Sequence, residues 1–188
     1  LQELGCREET IFLAMNRLEE LSPEAHQKEL EKRGLRLLSI EDEDYPARLR
    51  TIEDPPVFLF LRGDVSILEE PCLAMVGTRA MSEYGKRVVG FLTPEIVAAG
   101  MVTVSGLAQG IDGEVARETL ASGGKTVAIV GHGLGMIYPK AHERLAEEIV
   151  AKGGLIISEF PLDVRPDTYT FPARNRIIAA LSLGTVVL

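Results

Sequence analysis

The sequence predicts an α/β protein in which a parallel β-sheet carries helices on both faces. From residue 71 onward, short apolar runs alternate with segments of helical periodicity. The apolar runs contain few polar residues, which is typical of strands covered on both faces. Glycine-rich segments follow several of these runs, as expected where strands turn into helices. The composition, with 46% hydrophobic and 26% charged residues, is that of a globular protein.

The first 34 residues predict a small helical N-terminal domain. In ETIFLAMNRLEEL the apolar residues recur at helical spacing, at Ile11, Phe12, Met15 and Leu18. The next segment, LSPEAHQKELEKRG, offers Ser22 as a cap, Pro23 in the first turn and Gly34 as a stop.

Residues 35–70 predict a lead-in segment that packs on the core domain. LRLLSIEDEDYPARLRTIEDPP predicts a short strand, a polar turn and a small helix. PVFLFLRGD then predicts a strand that ends at Gly63.

Residues 71–188 predict the core domain, in which strands and helices alternate. The predicted strands are CLAMVG, MVTVSG, KTVAIVG, LIISEF and TVVL. Between them, helices are predicted in KRVVGFLTPEIVAAG, with a kink or break at Pro94, in GEVARETLASGG, capped by Asp112, and in KAHERLAEEIVAKGG and RIIAALS. In a parallel sheet the strand-to-helix loops meet at the carboxyl edge of the strands, where ligands bind. That edge would collect GTR, SGLAQGID, GHGLG, SEFP and FPARNR.

The segment VGTR predicts an anion site at this edge. Gly77 permits a tight turn, Thr78 offers a hydroxyl and an N–H, and Arg79 can make a forked contact with phosphate. A plain strand-to-helix turn with Arg79 on the surface is the alternative.

The other glycine-rich loops do not predict a cofactor, a metal site or catalysis. SGLAQGID places Gly106 and Gly110 around a bend but lacks the GxGxxG spacing of a dinucleotide site. Its Asp112 is open to interpretation as a helix cap alone. None of the three histidines stands at a metal-ligand spacing, and Ser105 lacks the GxSxG elbow. Nothing in these loops requires the protein to be an enzyme.

The segment TFPARNR predicts contacts with single-stranded nucleic acid. Phe171 offers a ring on which a base can stack. On a helix, Arg174 and Arg176 diverge by about 200°, so they should not grip one phosphate together. One can point toward a ligand while the other ties down the fold, for example to an acidic side chain of a neighbouring loop. Two purely structural arginines are the alternative.

The acidic charge argues against a general polyanion-binding protein, but its concentration in the first third of the chain leaves room for one focused anion site later on. The formal net charge is -8, and residues 1–70 carry 17 acidic against 9 basic side chains. No apolar stretch approaches the roughly 20 residues of a membrane span, and the first residues do not resemble a signal peptide. With two cysteines and no CxxC pair, a reducing compartment is expected, and we predict a cytoplasmic location.

Several motifs resemble those of the DNA processing protein A (DprA/Smf) family. They are VGTRAMSEYG, SGLAQGID, GHGLGMIYP, LIISEFP and FPARNRIIAALS, in that order, preceded by DYPARLRTIEDPPVFLFLRGD. The resemblance covers residues 35–188, and FPARNRIIA is its most specific part. The family continues beyond the strand in which this chain stops, so we predict that the core domain is truncated at its C-terminal end.

The resemblance implies an extended Rossmann-like fold, single-stranded DNA binding and a homodimer. It further implies protection of incoming DNA and loading of the recombinase RecA during natural transformation, with no catalytic reaction. Carried onto matching positions, it assigns the DNA site to Gly77, Thr78, Arg79, Gly106, Gly110, Phe171, Arg174, Asn175 and Arg176.

Two other functions stay open from the residues alone. The same edge could bind a small nucleotide in a Rossmann-like enzyme or sensor. Alternatively, the acidic first third could dock a basic protein, in which case neutralising Arg79 would leave function intact.

Overall fold

The computed structural model describes residues 23–188, and side chains from Gln27 onward. The chain divides into two compact units, Leu1–Leu35 and Arg36–Leu188. The periodicity predicted for residues 11–18 and the Ser22 cap lie outside the described residues. In the first unit, helix α1 spans Pro23–Lys32. It ends before Gly34, whose φ of +67° places it in the left-handed region and whose N–H donates to the Glu31 carbonyl at 2.9 Å.

Residues 36–188 form seven strands and five α-helices. The strands are β1 (Arg36–Ser39), β2 (Phe58–Gly63), β3 (Cys72–Val76), β4 (Val102–Ser105), β5 (Thr126–Ile129), β6 (Leu155–Ser158) and β7 (Thr185–Val187). The α-helices are α2 (Ala47–Arg50), α3 (Glu83–Ala98), α4 (Ile111–Ala121), α5 (Glu143–Ala151) and α6 (Thr170–Leu181), and 3₁₀ turns cover Val65–Glu69 and Lys140–His142.

All seven strands belong to one sheet, in the order β1-β2-β6-β5-β4-β3-β7. Strands β6, β5, β4, β3 and β7 are parallel, which confirms the predicted α/β class. Strands β1 and β2 extend this sheet in antiparallel fashion, with Phe60 opposite Ser158 where β2 meets β6. The segment 35–70 therefore contributes two strands to the sheet itself.

The connections explain why helices cover both faces. The chain runs from β3 through β4 and β5 to β6 in one direction, and then returns past β3 to β7. Because such crossovers are right-handed, this reversal moves the connecting helix to the opposite face. Helices α3, α4 and α5 accordingly pack together on one face, while α6 packs with α2 on the other.

Successive side chains of β3 point to opposite faces of the sheet and enter the two halves of the core. Ala74 packs into the cluster that includes Ile177 and Ile178 of α6. Its neighbour Met75 points the other way, into a cluster with Val89 of α3. Both residues are fully buried, so the sheet is covered on each side.

Of the kink or break predicted at Pro94, the structure rules out the break. The helix is continuous from Glu83 to Ala98, with Pro94 inside it. A proline interrupts the hydrogen bond to the carbonyl four residues earlier, here that of Gly90. Gly90 is exposed, so water can bond this carbonyl and the helix can continue.

Candidate functional site

The loops at the carboxyl ends of β3, β4 and β5 meet the first turns of α6, and we call this edge the rim. It comprises residues 77–79, 106–110, 130–139 and 170–175. Strands β3 and β7 are neighbours in the sheet, but the chain leaves β3 toward β4 on its other side. The order in which strands are added to the sheet therefore reverses between β3 and β7. Open α/β sheets bind ligands at such a topological switch point. The rim therefore lies where the fold itself favours a binding site.

Arg174 lies inside the protein, underneath the rim. Its side chain is 5% exposed. The Nη1 group donates to the carbonyl oxygens of Gly106, at 2.6 Å, and of Ile129, and so joins the ends of β4 and β5. Its Nε donates to Oδ1 of Asn175 at 3.2 Å. Arg174 thus braces the rim from within.

Asp112 is a second internal brace and not the predicted helix cap. The N-cap of α4 is Gly110, and Asp112 is the second residue of the helix. Its carboxylate accepts from the backbone N–H groups of Gly77, at 3.2 Å, and Gly106, at 3.0 Å. The capping prediction is wrong because the carboxylate turns away from its own helix and links the loops after β3 and β4.

Burial shifts the pKa of both braces. Loss of solvent lowers the pKa of Arg174 to about 10, an effect that the Asp112 carboxylate opposes and the nearby Arg79 reinforces. Burial raises the pKa of Asp112, against the opposing influence of Arg174 and of the backbone N–H donors. Each charge is therefore unfavourable to bury alone, and each is stabilised by the other.

Two glycines allow the loops to approach each other closely. A Cβ on Gly106 would lie 2.1 Å from Nη2 of Arg174, so no larger residue fits over the guanidinium. Gly110 has a φ of +84°, and a Cβ there would lie 2.3 Å from the carbonyl oxygen of Thr78. Both positions therefore require glycine for the shape of the rim.

Arg79 and Phe171 form the exposed part of the rim. Arg79 is exposed, and its guanidinium carbon lies 4.8 Å from the centroid of the half-buried Phe171 ring, in a cation–π contact. Tyr138, which is 48% exposed, contacts the same ring, with centroids 6.0 Å apart and planes inclined by 41°. The structure thus brings a cation and two aromatic rings together at the open edge.

Thr78 and Asn175 are found beside this cluster, at the surface of the rim. The Thr78 Oγ1 accepts from the N–H of Ala80 at 3.1 Å, so its hydroxyl proton can still be donated. The Asn175 Oδ1 accepts from Nε of Arg174 at 3.2 Å, and its Nδ2 has no hydrogen-bond partner within residues 23–188. Both side chains can therefore donate hydrogen bonds to an anion.

Arg176 faces away from the rim and is bonded through all three of its nitrogens. Its Nη1 and Nη2 donate to the two carboxylate oxygens of Glu159 at 2.7 and 2.6 Å. Its Nε donates to the Asp54 carbonyl at 2.8 Å. The bidentate bonds to Glu159 raise the pKa of Arg176. This is the tie to an acidic side chain of a neighbouring loop that the spacing of the two arginines allowed.

A cavity of about 800 Å³ opens at the switch point, next to Arg79 and Phe171. Its lining includes the polar residues Thr78, Asp112 and Asn175 and the apolar residues Val76, Ile178 and Val187. A smaller cavity, of about 100 Å³, is lined by His132 and Tyr138 and shares Arg79 and Phe171 with the larger one. The two cavities of the rim therefore adjoin at Arg79 and Phe171.

Sequence reasoning missed Tyr138, which His132 positions. The buried His132 accepts from the Tyr138 N–H through Nε2 at 3.2 Å, and its Nδ1 lies 3.0 Å from the Gly133 carbonyl oxygen. A ring that accepts through Nε2 and donates through Nδ1 is neutral, and burial lowers the pKa of His132 accordingly. The sequence shows a tyrosine shortly after GHGLG, but its contact with Phe171 can be seen only in the folded structure.

Residues 23–188 contain neither a metal cluster nor a membrane-spanning helix. No group of three or more His, Cys, Asp or Glu side chains in this range could hold a metal ion. Of the helices described, none has the length and apolar character needed to cross a membrane.

Comparison with known proteins identifies the family. A model for DNA recombination-mediator protein A matches residues 36–188. The chain is 40% identical over 187 residues to DNA processing protein DprA of Streptococcus pneumoniae, a match that covers 97% of this chain and 63% of that protein. It is 42% identical over 158 residues to protein Smf of Escherichia coli, covering 84% of this chain and 42% of that one. The chain thus spans only part of these relatives.

Solved structures agree with this relationship. The X-ray structure of S. pneumoniae DprA has a TM-score of 0.83 and 40% identity, covering 97% of this chain and 62% of that one. DNA processing protein A of Helicobacter pylori, which has a unique single-stranded DNA binding mode, has a TM-score of 0.72 and 33% identity. That match covers 81% of this chain and 68% of the H. pylori chain. The chain belongs to the DNA recombination-mediator protein A (DprA/Smf) family.

Proposed function

We propose that the rim binds single-stranded DNA, and that the protein thereby protects incoming strands and helps load RecA during natural transformation. The site in this proposal comprises Gly77, Thr78, Arg79, Gly106, Gly110, Phe171, Arg174, Asn175 and Arg176, some of which contact the strand while others shape or brace the site. The single-stranded DNA binding of the H. pylori relative, at 33% identity, supports it.

The contact between Arg79 and Phe171 carries the proposal. An exposed guanidinium lies 4.8 Å from an aromatic ring at the carboxyl edge of a parallel sheet. Single-stranded DNA presents phosphates and unpaired bases, which a cation and a ring bind respectively. A duplex hides the faces of its bases, so the same pair of side chains favours a single strand.

Binding of DNA would replace the contact between Arg79 and Phe171 with one contact from each of them to the strand. In the free protein the Arg79 guanidinium occupies a face of Phe171. An incoming base takes that face, and Arg79 moves to a phosphate, where it forms a charge-assisted hydrogen bond. Thr78 and Asn175 donate to neighbouring phosphate oxygens. Tyr138 stays in contact with the ring of Phe171.

The remaining arginines act by holding the rim in shape. Arg174 bonds the carbonyls of Gly106 and Ile129, and Arg176 bonds Glu159 and Asp54. Their positive charge still adds to the attraction for a polyanion, but most of their donors bond the protein, namely all three nitrogens of Arg176 and Nε and Nη1 of Arg174. We therefore expect direct contacts from Arg79 and indirect effects from these two.

The test is fluorescence anisotropy of a labelled oligothymidine over a salt series, with the protein and with Arg79→Ala. The slope of log K against log salt should fall in magnitude by about 0.7 for each phosphate that the variant no longer neutralises. Lys125→Ala is the matched control, because Lys125 lies before β5 at the opposite end of the strands, paired with Glu70 at 3.1 Å.

Salt-sensitive binding that weakens in Arg79→Ala and not in Lys125→Ala is the expected result. Equal binding by both variants would refute the assignment of DNA to the rim. Absence of binding by the folded protein at low salt would refute single-stranded DNA as the ligand of this chain.

The cavity at the switch point favours a second candidate, a small-nucleotide enzyme or sensor. Its volume of about 800 Å³ lies within the usual range of small-molecule sites. A mononucleotide that binds saturably, and that oligonucleotides do not displace, would support this candidate. Displacement by oligothymidine would support the strand-binding function instead.

RecA and a second copy of the chain are the proposed protein partners. A RecA loader should accelerate the onset of RecA's DNA-dependent ATPase on single-stranded DNA, and Arg79→Ala should not. Sedimentation at increasing concentration tests the homodimer directly. These two proposals rest on family membership, since the described residues show no partner.

A further inference from the structure

The outer face of α3 carries two exposed aromatic side chains with an arginine between them. Tyr84 is 70% exposed and Phe91 is 73% exposed. Arg87 is exposed too, and within residues 23–188 its side chain has no hydrogen-bond or ion-pair partner. We call Tyr84, Arg87 and Phe91 the α3 platform.

The helical repeat places the three side chains on one side of α3. At 3.6 residues per turn they lie within an arc of about 60°, and the rings are separated by about 10 Å along the axis. The helix packs on the core through other residues, including Val89 and Thr93, which are fully buried. The platform therefore lies outside the buried face through which α3 packs on the sheet.

The platform begins at the rim. Helix α3 follows β3 after the loop that carries Arg79, and its N-cap Ser82 accepts from the Gly85 N–H at 3.1 Å. The amino end of the helix thus adjoins the rim, and Tyr84 lies in its first turn. A strand leaving Arg79 along the helix would meet Tyr84 first and Phe91 last.

The chemistry of the platform fits a single strand better than a second copy of the chain. Rings spaced along a face, with a cation between them, provide stacking surfaces and a phosphate contact. A twofold pairing of the platform with itself would be centred near Arg87 and would bring two guanidinium groups together. Glu83 and Glu95 lie before and after the platform along α3, and their negative charges confine a DNA-binding surface to the stretch between them.

We propose that the α3 platform binds a second stretch of the same DNA strand that the rim binds. The bases stack on Tyr84 and Phe91, and a phosphate contacts Arg87. This inference rests on the proposed function of the rim and extends its footprint along α3. It predicts that the platform matters only for strands long enough to reach it.

The test compares two oligothymidines, of about 5 and about 16 nucleotides, within the range of sites on single-strand-binding domains. The double variant Tyr84→Ser/Phe91→Ser should bind the long strand at least about 5-fold more weakly, and the short strand normally. Arg87→Gln should lower the salt slope by about 0.7 with the long strand alone. Phe171→Ala should weaken both.

Two control variants separate stacking from general surface effects. Tyr84→Phe keeps the ring and should bind normally. Phe58→Ser removes an aromatic side chain that is 49% exposed on β2, away from α3, and should also bind normally. An equal weakening in Phe58→Ser would overturn the proposal.

The remaining outcomes distinguish failure of the platform from failure of the rim. If the short strand binds and the double variant binds both strands normally, the platform is refuted and the rim stands. If neither strand binds the unmodified protein, both are refuted. If the double variant abolishes self-association in sedimentation, the platform is a protein interface. A lowered melting temperature would show that the chain itself covers the rings, which also overturns the proposal.

Discussion

The start of α6 and the loop after β3 both present arginines at the same edge of the sheet, yet they use them in opposite ways. In α6, Arg174 is 5% exposed and bonded to two carbonyls, and Arg176 is clamped by Glu159. In the loop after β3, Arg79 is exposed and lies on the ring of Phe171. One region commits most of its guanidinium donors to the fold, and the other keeps them available.

The difference shows that an arginine near a helix start is not by itself a phosphate site. What matters is whether its five donors already have partners inside the protein. Carbonyl ends of β4 and β5 need donors where the sheet stops, and Arg174 supplies them. Substitutions should therefore separate a stability phenotype at α6 from a binding phenotype at Arg79.

Replacing Arg174 by methionine should have the largest effect on stability. It removes the donor to the Gly106 and Ile129 carbonyls and leaves the buried Asp112 carboxylate without its compensating charge. We expect a loss of about 3 kcal/mol or more in the free energy of unfolding, measured by urea denaturation. A loss no larger than that of Arg79→Ala would contradict the bracing role.

Gly106→Ala should come next, because it forces a methyl group into Arg174. The Cβ would lie 2.1 Å from Nη2, and overpacking of this kind costs about 1–3 kcal/mol. Gly90→Ala is the matched control, since nothing lies within 4 Å of its Cβ and alanine favours the helix. Urea denaturation should show opposite signs for the two variants, and equal signs would disprove the steric argument.

Glu159→Gln should have an intermediate effect. It removes the charge from a half-buried bidentate pair in which the Arg176 and Glu159 side chains are 25% and 14% exposed. A loss of about 1–2 kcal/mol is expected from the weaker hydrogen bonds. Glu148→Gln, in an exposed pair with Lys152, should change the free energy of unfolding by less than about 0.5 kcal/mol.

His132 should add a smaller, pH-dependent contribution to stability. Its pKa is lowered in the folded protein, because burial disfavours the imidazolium. Below pH of about 6.5, where the unfolded chain takes up this proton, the stability due to His132 progressively declines; above that pH it is fully present. Denaturation of the protein and of His132→Gln across this range should show a shallower pH dependence in the variant.

Arg79→Ala should have the smallest effect on stability. An exposed side chain whose partner is one face of a ring contributes little to folding, within about 0.5 kcal/mol. The same variant should show weaker salt-sensitive binding to oligothymidine. If the stability of this variant fell to the extent expected for Arg174→Met, Arg79 would also be a structural residue, and the proposed difference between the two regions would be wrong.

The sequence predicted the parallel part of the fold well, but only some of the local features of the site. Strands β3–β7 coincide with apolar runs, and the loops between them contain the glycines that the rim requires. The antiparallel joining of β2 to β6 was not predicted, because pairing across long separations leaves no local pattern. Asp112 was interpreted as a cap because its position next to a helix start favours one.

The order of elements, the edge at which the loops meet and the residue types available there could all be predicted from local sequence patterns. Periodicity and glycine placement are local properties, and they can be recognised without knowledge of contacts. Which arginine is buried, which carboxylate braces the loops and which tyrosine contacts Phe171 became clear from the three-dimensional contacts alone. These contacts join residues far apart along the chain, such as Asp112 with Gly77, 35 residues away, and Arg174 with Gly106, 68 residues away.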